Sequence, residues 1–202
     1  MTEMRRFQGA GSRRITERAL AVLVILALAG AAVAAEDPSL SIDLWTAYFW
    51  PSDDVFKEIY GGGPAFGIGL AVPLVDGLQA WTGAAIFQKR GEIIFTGETT
   101  TLRIVPVFGG LRYQLAGRVL RPYAGLAMTY HRFKEESAWG VVRGKGFGVL
   151  GQAGCVFSFG RAFGLDVHGR YTACRGKPDI PEAVPAEIGG FQFGAGLVFR
   201  FR

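Results

Sequence analysis

The chain has 202 residues, a formal net charge of +5, 30 glycines and two cysteines. The glycine content is about twice the usual ~7%, yet the glycines follow no collagen period and form no Gly/Ser linker. Most of the surplus positive charge, +3 of the +5, sits in the first 35 residues, and the remaining chain has no basic patch of the kind that binds nucleic acid.

Residues 1–35 read as a cleaved signal peptide. Arg5, Arg6, Arg13, Arg14 and Arg18 form a basic start, and Ala19 to Ala35 is an unbroken apolar run. Ala32-Val33-Ala34 fits a small-residue cleavage site, with Glu36 and Asp37 just beyond. An uncleaved inner-membrane anchor would need about 20 apolar residues, and this run is shorter. Ser12-Arg13-Arg14 has twin-arginine character, but Thr16-Glu17 follows where an apolar residue belongs, so the general secretory route is expected. Without this segment the chain keeps 17 basic and 15 acidic residues, enough sequence at 36–202 for one domain.

From there on no helix and no long apolar run are expected. Eight segments alternate apolar and polar residues with a period of two, the signature of strands with one apolar face. The first is Ser39 to Trp50, with Leu40, Ile42, Leu44, Thr46 and Tyr48 on one side. The second is Pro64 to Leu74, showing Phe66, Ile68, Leu70 and Val72. Leu78 to Phe95 and Glu98 to Leu115 flank Thr96-Gly97, a tight hairpin signal. The remaining four are Arg121 to Phe133, Gly146 to Ser158, Arg161 to Cys174 and Gly189 to Phe201. Pro106 falls inside the fourth, where a missing N–H predicts a bulge or a strand that becomes regular only after it. The third and fourth strands are the longest and are expected to project beyond a bilayer.

Connection lengths alternate. PSDDVFKEIYGGG, EESAWGVVRGKG and RGKPDIPEAVPAEI are long, whereas Val75-Asp76-Gly77 and the turn at Gly160 are short. Short turns at one end and long loops at the other is the construction of an outer-membrane barrel, with both termini on the periplasmic side. A soluble lipocalin-like barrel would carry the same alternation inside out. Against it stand the nearly uncharged polar faces of the second and eighth strands. Tyr48, Trp50, Tyr113, Tyr130 and Tyr171 at strand ends also suggest interfacial girdles. The fold read from the residues is therefore all-β: an eight-stranded antiparallel up-and-down transmembrane β-barrel.

The stretches IVPVFGGLRYQL, RPYAGLAM and FGLDVHGRYT, and the ending Gly196-Leu197-Val198-Phe199-Arg200-Phe201, resemble the small bacterial outer-membrane barrels of the OmpA-like, OmpX-like and OmpW-like group. The resemblance spans Leu40 to Phe201 and is one of pattern. It implies a Gram-negative outer-membrane location. It also implies contact with outer-membrane lipids, lipopolysaccharide and the assembly machinery, the last through a C-terminal signal at Gly196, Phe199 and Phe201. The group usually ends on the aromatic, whereas this chain adds Arg202.

If the apolar faces meet lipid, the other faces line a lumen just wide enough to be filled by side chains. Asp43, Arg112, Gln152, Asp166, His168 and Arg170 are the expected polar network, with Ser41, Trp45, Gln114, His131 and Thr172 beside them. Asp43 and Asp166 should pair with Arg112 and Arg170, since unpaired buried charges are costly. His168 sits between Asp166 and Arg170, but neighbours two apart on a strand are ~6.6 Å apart and need not touch. No serine or second histidine has motif spacing beside it, and no His-x-Ser of the lipid A deacylase kind occurs. No catalysis, cofactor or metal is expected. The function read is a structural or surface-interaction barrel, monomeric, with a narrow OmpW-like channel for small or apolar solutes as the alternative.

Cys155 and Cys174 should lie far apart along one hairpin and not bond. Mixed charges in the long loops read as a solvated surface. Lys89, Arg90, Arg132 and Lys134 near the rim are candidate contacts for lipopolysaccharide, and the KPDIPEAVP stretch for a partner.

Overall fold

A computed structural model describes residues 40–92, 97–179 and 185–201. The expected signal segment, Thr96 of the hairpin signal, Ile180 to Val184 of the proline-rich loop, and Arg202 lie outside the described residues.

The chain forms one closed antiparallel barrel. Its strands are β1 (Leu40–Pro51), β2 (Gly63–Val75), β3 (Leu78–Glu92), β4 (Thr99–Gln114), β5 (Leu120–Ser137), β6 (Gly140–Phe159), β7 (Phe163–Pro178) and β9 (Gly190–Phe201), with a two-residue strand, β8 (Ala186–Glu187), attached to β7. Each barrel strand pairs with its neighbour in sequence, and β9 pairs with both β7 and β1. The ladder from Leu40↔Phe201 to Pro51↔Gly190 closes the barrel and removes both free edges. This is the expected eight-stranded up-and-down barrel.

The faces separate as the alternation predicts. On β1, Ser41, Asp43, Trp45, Ala47 and Phe49 are buried, while Leu40, Leu44, Tyr48 and Trp50 are exposed. Exposed Phe66, Ile68, Leu111, Leu126, Met128, Val149, Phe191 and Phe193 continue the outer belt. Val72 departs from this: it is buried, one residue before the register shift between Pro73 and Val75. The β2–β3 turn is Asp76-Gly77 with positive φ at both residues (39° and 84°), the geometry that Asp-Gly favours in two-residue hairpins. From Val105 on β4 to Leu115 just past its end, ten residue steps at ~3.3 Å and ~40° tilt rise about 25 Å, the height of a membrane-facing apolar band.

Four expectations need correction. First, the stretch between β1 and β2 contains a helix, α1 (Asp54–Tyr60). Asp53 caps it, its side chain accepting the Phe56 N–H at 2.8 Å, and Gly61 ends it at φ 61°. The local signals are an N-cap Asp and a terminal Gly, and at seven residues the helix is too short to show as a period. Second, EESAWGVVRGKG is not a loop. β5 and β6 stay paired out to Ser137↔Gly140 and turn at Ala138-Trp139. They are therefore the longest strands, 18 and 20 residues against 15 and 16 for β3 and β4. Third, Pro106 makes no bulge, and β4 is regular before it as well as after it. The β3–β4 ladder lacks the pairs opposite Pro106 and Val105 but resumes in the same register, and Pro106↔His131 keeps the β5 side continuous. The lost bond is confined to one side of the strand. Fourth, the turn at Gly160 is expected to set Cys155 opposite about residue 165, but Cys155 pairs with Val167, because Gly160, Arg161 and Ala162 make a three-residue turn. Both cysteines are free, as expected.

Candidate functional site: a filled lumen beneath a helical plug

Every expected lumen residue is inside. Asp43, Arg112, Gln152, Asp166, His168 and Arg170 are all buried, as are Ser41, Trp45, His131 and Thr172, while Gln114 is half-buried. They stack in three levels.

At the end holding the termini, Arg112 of β4 crosses the lumen to Asp43 of β1, Nη1 donating to Oδ2 at 3.0 Å. Its Nε donates to Gln79 at 2.6 Å and its Nη2 reaches Ser41 at 3.5 Å. The expected Arg112–Asp43 pair is thus formed, and its guanidinium also lies over the Tyr123 ring at 5.2 Å. Below it, Tyr123, Val156 and Val198 form a small apolar floor, and Arg200 donates to Ser158 at 3.1 Å.

In the middle level the pairing differs from expectation. Asp166 is held by the Tyr123 hydroxyl, at 2.9 and 3.1 Å, and by His168 Nδ1 at 2.6 Å. His168 and Asp166 therefore do touch, because both side chains lean into the lumen from one strand face and close the gap between their backbones. Arg170 makes no ion pair among the described residues. It stacks over Trp45 at 4.0 Å, with Trp81 and Phe108 within 6 Å. A planar guanidinium is satisfied by aromatic faces in a way an ammonium is not. Tyr123, Trp81 and Phe108 are lumen residues that the alternation places inside but that a search for polar side chains passes over.

Trp45 fits only because its cross-strand partners on both sides are glycines, Gly67 of β2 and Gly196 of β9. A Cβ on Gly67 would stand 2.1 Å from Trp45 Cζ2, and one on Gly196 2.7 Å from Trp45 Cβ. This close approach explains part of the high glycine content.

The third level is apolar. Phe49, Ala65, Phe87, Leu102 and Ile104 line the mouth opposite the termini, and Phe56 and Tyr60 of α1 pack down among them. Phe49 and Phe87 sit 5.0 Å apart, and Phe56 meets Phe49 edge-on at 6.2 Å. The helix is fastened by Tyr60, whose hydroxyl donates to Glu135 at 2.5 Å and lies 3.3 Å from Thr100, itself fully buried. Burial and the Glu135 carboxylate raise the Tyr60 phenol above its ordinary 10.0. The plug occupies the mouth that the expected long loop would have left open.

Several buried atoms have no protein hydrogen-bond partner among the described residues: both side-chain polar atoms of Gln152, both ring nitrogens of His131, His168 Nε2, Nε and Nη1 of Arg170, and the indole nitrogens of Trp45 and Trp81. Among the described residues no three His, Cys, Asp or Glu are grouped as a metal site. Gly196, Phe199 and Phe201 lie on β9, Gly196 against Trp45, Phe201 exposed and Phe199 half-buried beside Phe163 at 5.5 Å.

A closed barrel whose outer face is apolar, with aromatics at its rims and polar groups within, defines an integral membrane barrel of the outer-membrane type. Solved structures agree with that fold. Neisserial surface protein A is similar over 82% of this chain and 100% of its own, at 15% identity and a TM-score of 0.58. The attachment invasion locus protein Ail of Yersinia pestis is similar over 82% and 99%, at 14% identity and 0.53. The N-terminal barrel domain of Pseudomonas aeruginosa OprF is similar over 82% and 100%, at 14% identity and 0.51. No family model matches the chain, and no curated protein matches it by sequence. The chain thus has the fold of the small outer-membrane barrels that its strand pattern resembles.

Proposed function

We propose that this protein is a closed, non-conducting outer-membrane barrel with a structural or surface-interaction role. The carrying observation is the continuous filling of the lumen: Arg112 with Asp43, Tyr123 with Asp166 and His168, Arg170 on Trp45, and α1 over the mouth. The closure of the sheet supports a monomer, since β9 pairs with both β7 and β1 and leaves neither terminal strand of the barrel with a free edge. The same geometry supports a reading without catalysis. Among the described residues the Asp166–His168 pair has a tyrosine but no serine or cysteine nucleophile against it, and α1 stands between it and the outer mouth. β9, with Gly196, Phe199 and Phe201, is read as carrying the assembly signal.

The test is conductance in a planar bilayer, after heat-modifiable gel migration has established folding. A silent barrel is expected. Steady discrete openings would replace this reading with the narrow channel, which one observation favours: the apolar mouth beneath α1 leads down to the unpartnered polar atoms of Gln152 and Arg170.

A further inference from the structure

The middle level of the lumen gathers hydrogen-bond donors around Arg170. Register sets Arg170 of β7 between two glutamines, Gln152 of β6 and Gln192 of β9. All three belong to the inward row of their strands. The guanidinium carbon of Arg170 lies 4.0 Å from the centre of the Trp45 ring, 5.8 Å from that of Trp81 and 5.5 Å from that of Phe108.

These rings cover the flat face of the guanidinium. Its N–H donors lie in the plane and point past the rings. Arg170 Nε and Nη1 accordingly have no partner among the described residues, and neither have the indole nitrogens of Trp45 and Trp81 or the amide nitrogen of Gln152. Arg170, Gln152, Trp45 and Trp81 are 3%, 6%, 6% and 1% exposed. Buried polar atoms in folded proteins nearly always find a partner. Against these donors stand two unpartnered acceptors on the same level, Oε1 of Gln152 and, when its ring is neutral with Nδ1 donating to Asp166, Nε2 of His168. Donors are in excess.

The charge has the matching sign. From Arg170 to the end holding the termini, the inward-facing charges among the described residues are Arg112, Arg121, Arg170 and Arg200 against Asp43 and Asp166. Asp43 is engaged by Arg112, with its Oδ1 left unpartnered on that lower level, and Asp166 by Tyr123 and His168. Arg121 and Arg200 meet neutral oxygens, the Gly117 carbonyl and the Ser158 hydroxyl. The lumen is thus cationic at this end even before His168 is counted. There is also room beside the row. Gln192 is half-buried although it faces inward, and Ala47, the next inward residue after Trp45 toward the mouth, is small.

We propose that the lumen binds one small acceptor-only anion, a halide or the carboxylate of a short organic acid, at the N–H edge of Arg170, with Gln152, Trp45 and Trp81 as further donors. Water brings donors of its own to a site already rich in them, whereas such an anion brings only acceptors, and its bonds from a guanidinium are of the stronger, charge-assisted kind. The site goes beyond the structural role proposed above and is independent of conductance, since an anion lodged at Arg170 suits a silent barrel and an open one alike.

The test follows the urea unfolding midpoint of the full chain, folded in detergent, as sodium bromide or sodium formate replaces sodium gluconate at constant ionic strength. The midpoint should rise along a single-site saturation curve, because a ligand held only by the folded state stabilises it by mass action. Saturation by bromide assigns a halide, and saturation by formate at lower concentration a carboxylate. Arg170→Met keeps a side chain that packs on Trp45 but removes the donors. It should weaken the apparent affinity at least about tenfold, the worth of one hydrogen bond to a charged group. Gln152→Glu puts a carboxylate beside Arg170 in the anion's place, so the dependence should disappear. Arg161→Gln, in the exposed β6–β7 turn, should behave as the full chain. Crystals grown in bromide should show anomalous density at the Arg170 edge. A rise that is linear without saturation, or one unchanged in Arg170→Met and Gln152→Glu, would be a general salt effect and would overturn the proposal. Bromide density found only elsewhere would do the same. If Arg170→Met fails the heat-modifiable gel test, Gln152→Glu and Gln152→Leu carry the comparison.

Discussion

The Tyr60 hydroxyl donates to the Glu135 carboxylate at 2.5 Å, joining residues 75 positions apart in the chain. It fastens a seven-residue helix to the longest hairpin of the barrel, and so determines whether the mouth is shut. A helix this short has little stability of its own. Its place depends on Phe56 and Tyr60 in the apolar mouth and on this one bond.

Tyr60→Phe should therefore loosen the plug without unfolding the barrel. A hydrogen bond to a charged acceptor is worth about 1.5–3 kcal/mol. The expected result is faster protease cleavage at Lys57 with unchanged heat-modifiable migration. Cleavage at the wild-type rate would show that the apolar contacts alone hold α1.

The same bond sets a pH dependence. The folded protein raises the Tyr60 phenol above its ordinary 10.0, so the stabilisation is fully present below that pH and is lost as pH rises through the higher folded value. Protection of Lys57 should be constant through neutral pH and fall in strong alkali. In Tyr60→Phe this alkaline step should vanish from the cleavage-rate profile.

Arg112→Ala should be the costliest single change in the lumen. It strands the Asp43 carboxylate, buried at 6% exposure, and removes the donor to Gln79. Breaking one side of a buried pair costs about 3–5 kcal/mol. The double change D43L/R112M should recover most of that loss in urea unfolding from detergent micelles. A double variant as unstable as the single would mean that the polar contacts themselves, not charge burial, carry the stability.

Gly67→Ala should destabilise by about 1–3 kcal/mol through overpacking, since its Cβ would fall 2.1 Å from the Trp45 ring. Trimming the ring with Trp45→Leu should cancel much of the effect in the double variant. Additive losses would show that the strand backbone, not the indole, resists the methyl group.

Cys155 and Cys174 sit on opposite faces, Cys155 half-buried on the outer row and Cys174 buried on the lumen row. A lipid-soluble maleimide should label Cys155 and spare Cys174 in the folded barrel. Reduction should leave the mass of the unlabelled protein unchanged. Labelling of both would place Cys174 in an accessible lumen.

What the sequence by itself determined is the part written as alternation. A period of two assigns each side chain to lipid or lumen, and apart from Val72 beside the β2 register shift the assignment holds, because slipping a strand by one residue would turn Leu44 inward and Asp43 into the bilayer. The lumen residues Asp43, Arg112, Gln152, Asp166, His168 and Arg170 were legible for that reason. Which of them meet was not legible. Arg112 reaches Asp43 across the barrel, while Asp166 takes Tyr123 and His168 and leaves Arg170 to Trp45. Those choices depend on strand stagger and on glycines that let an indole lie flat against the wall, neither of which has a local signature. The α1 plug and the long β5–β6 hairpin were hidden for a related reason. Seven residues are too few to display a helical period, and the charged alternation of Lys134, Glu136 and Arg143 reads as loop until cross-strand pairing supplies the ladder bonds that make it sheet.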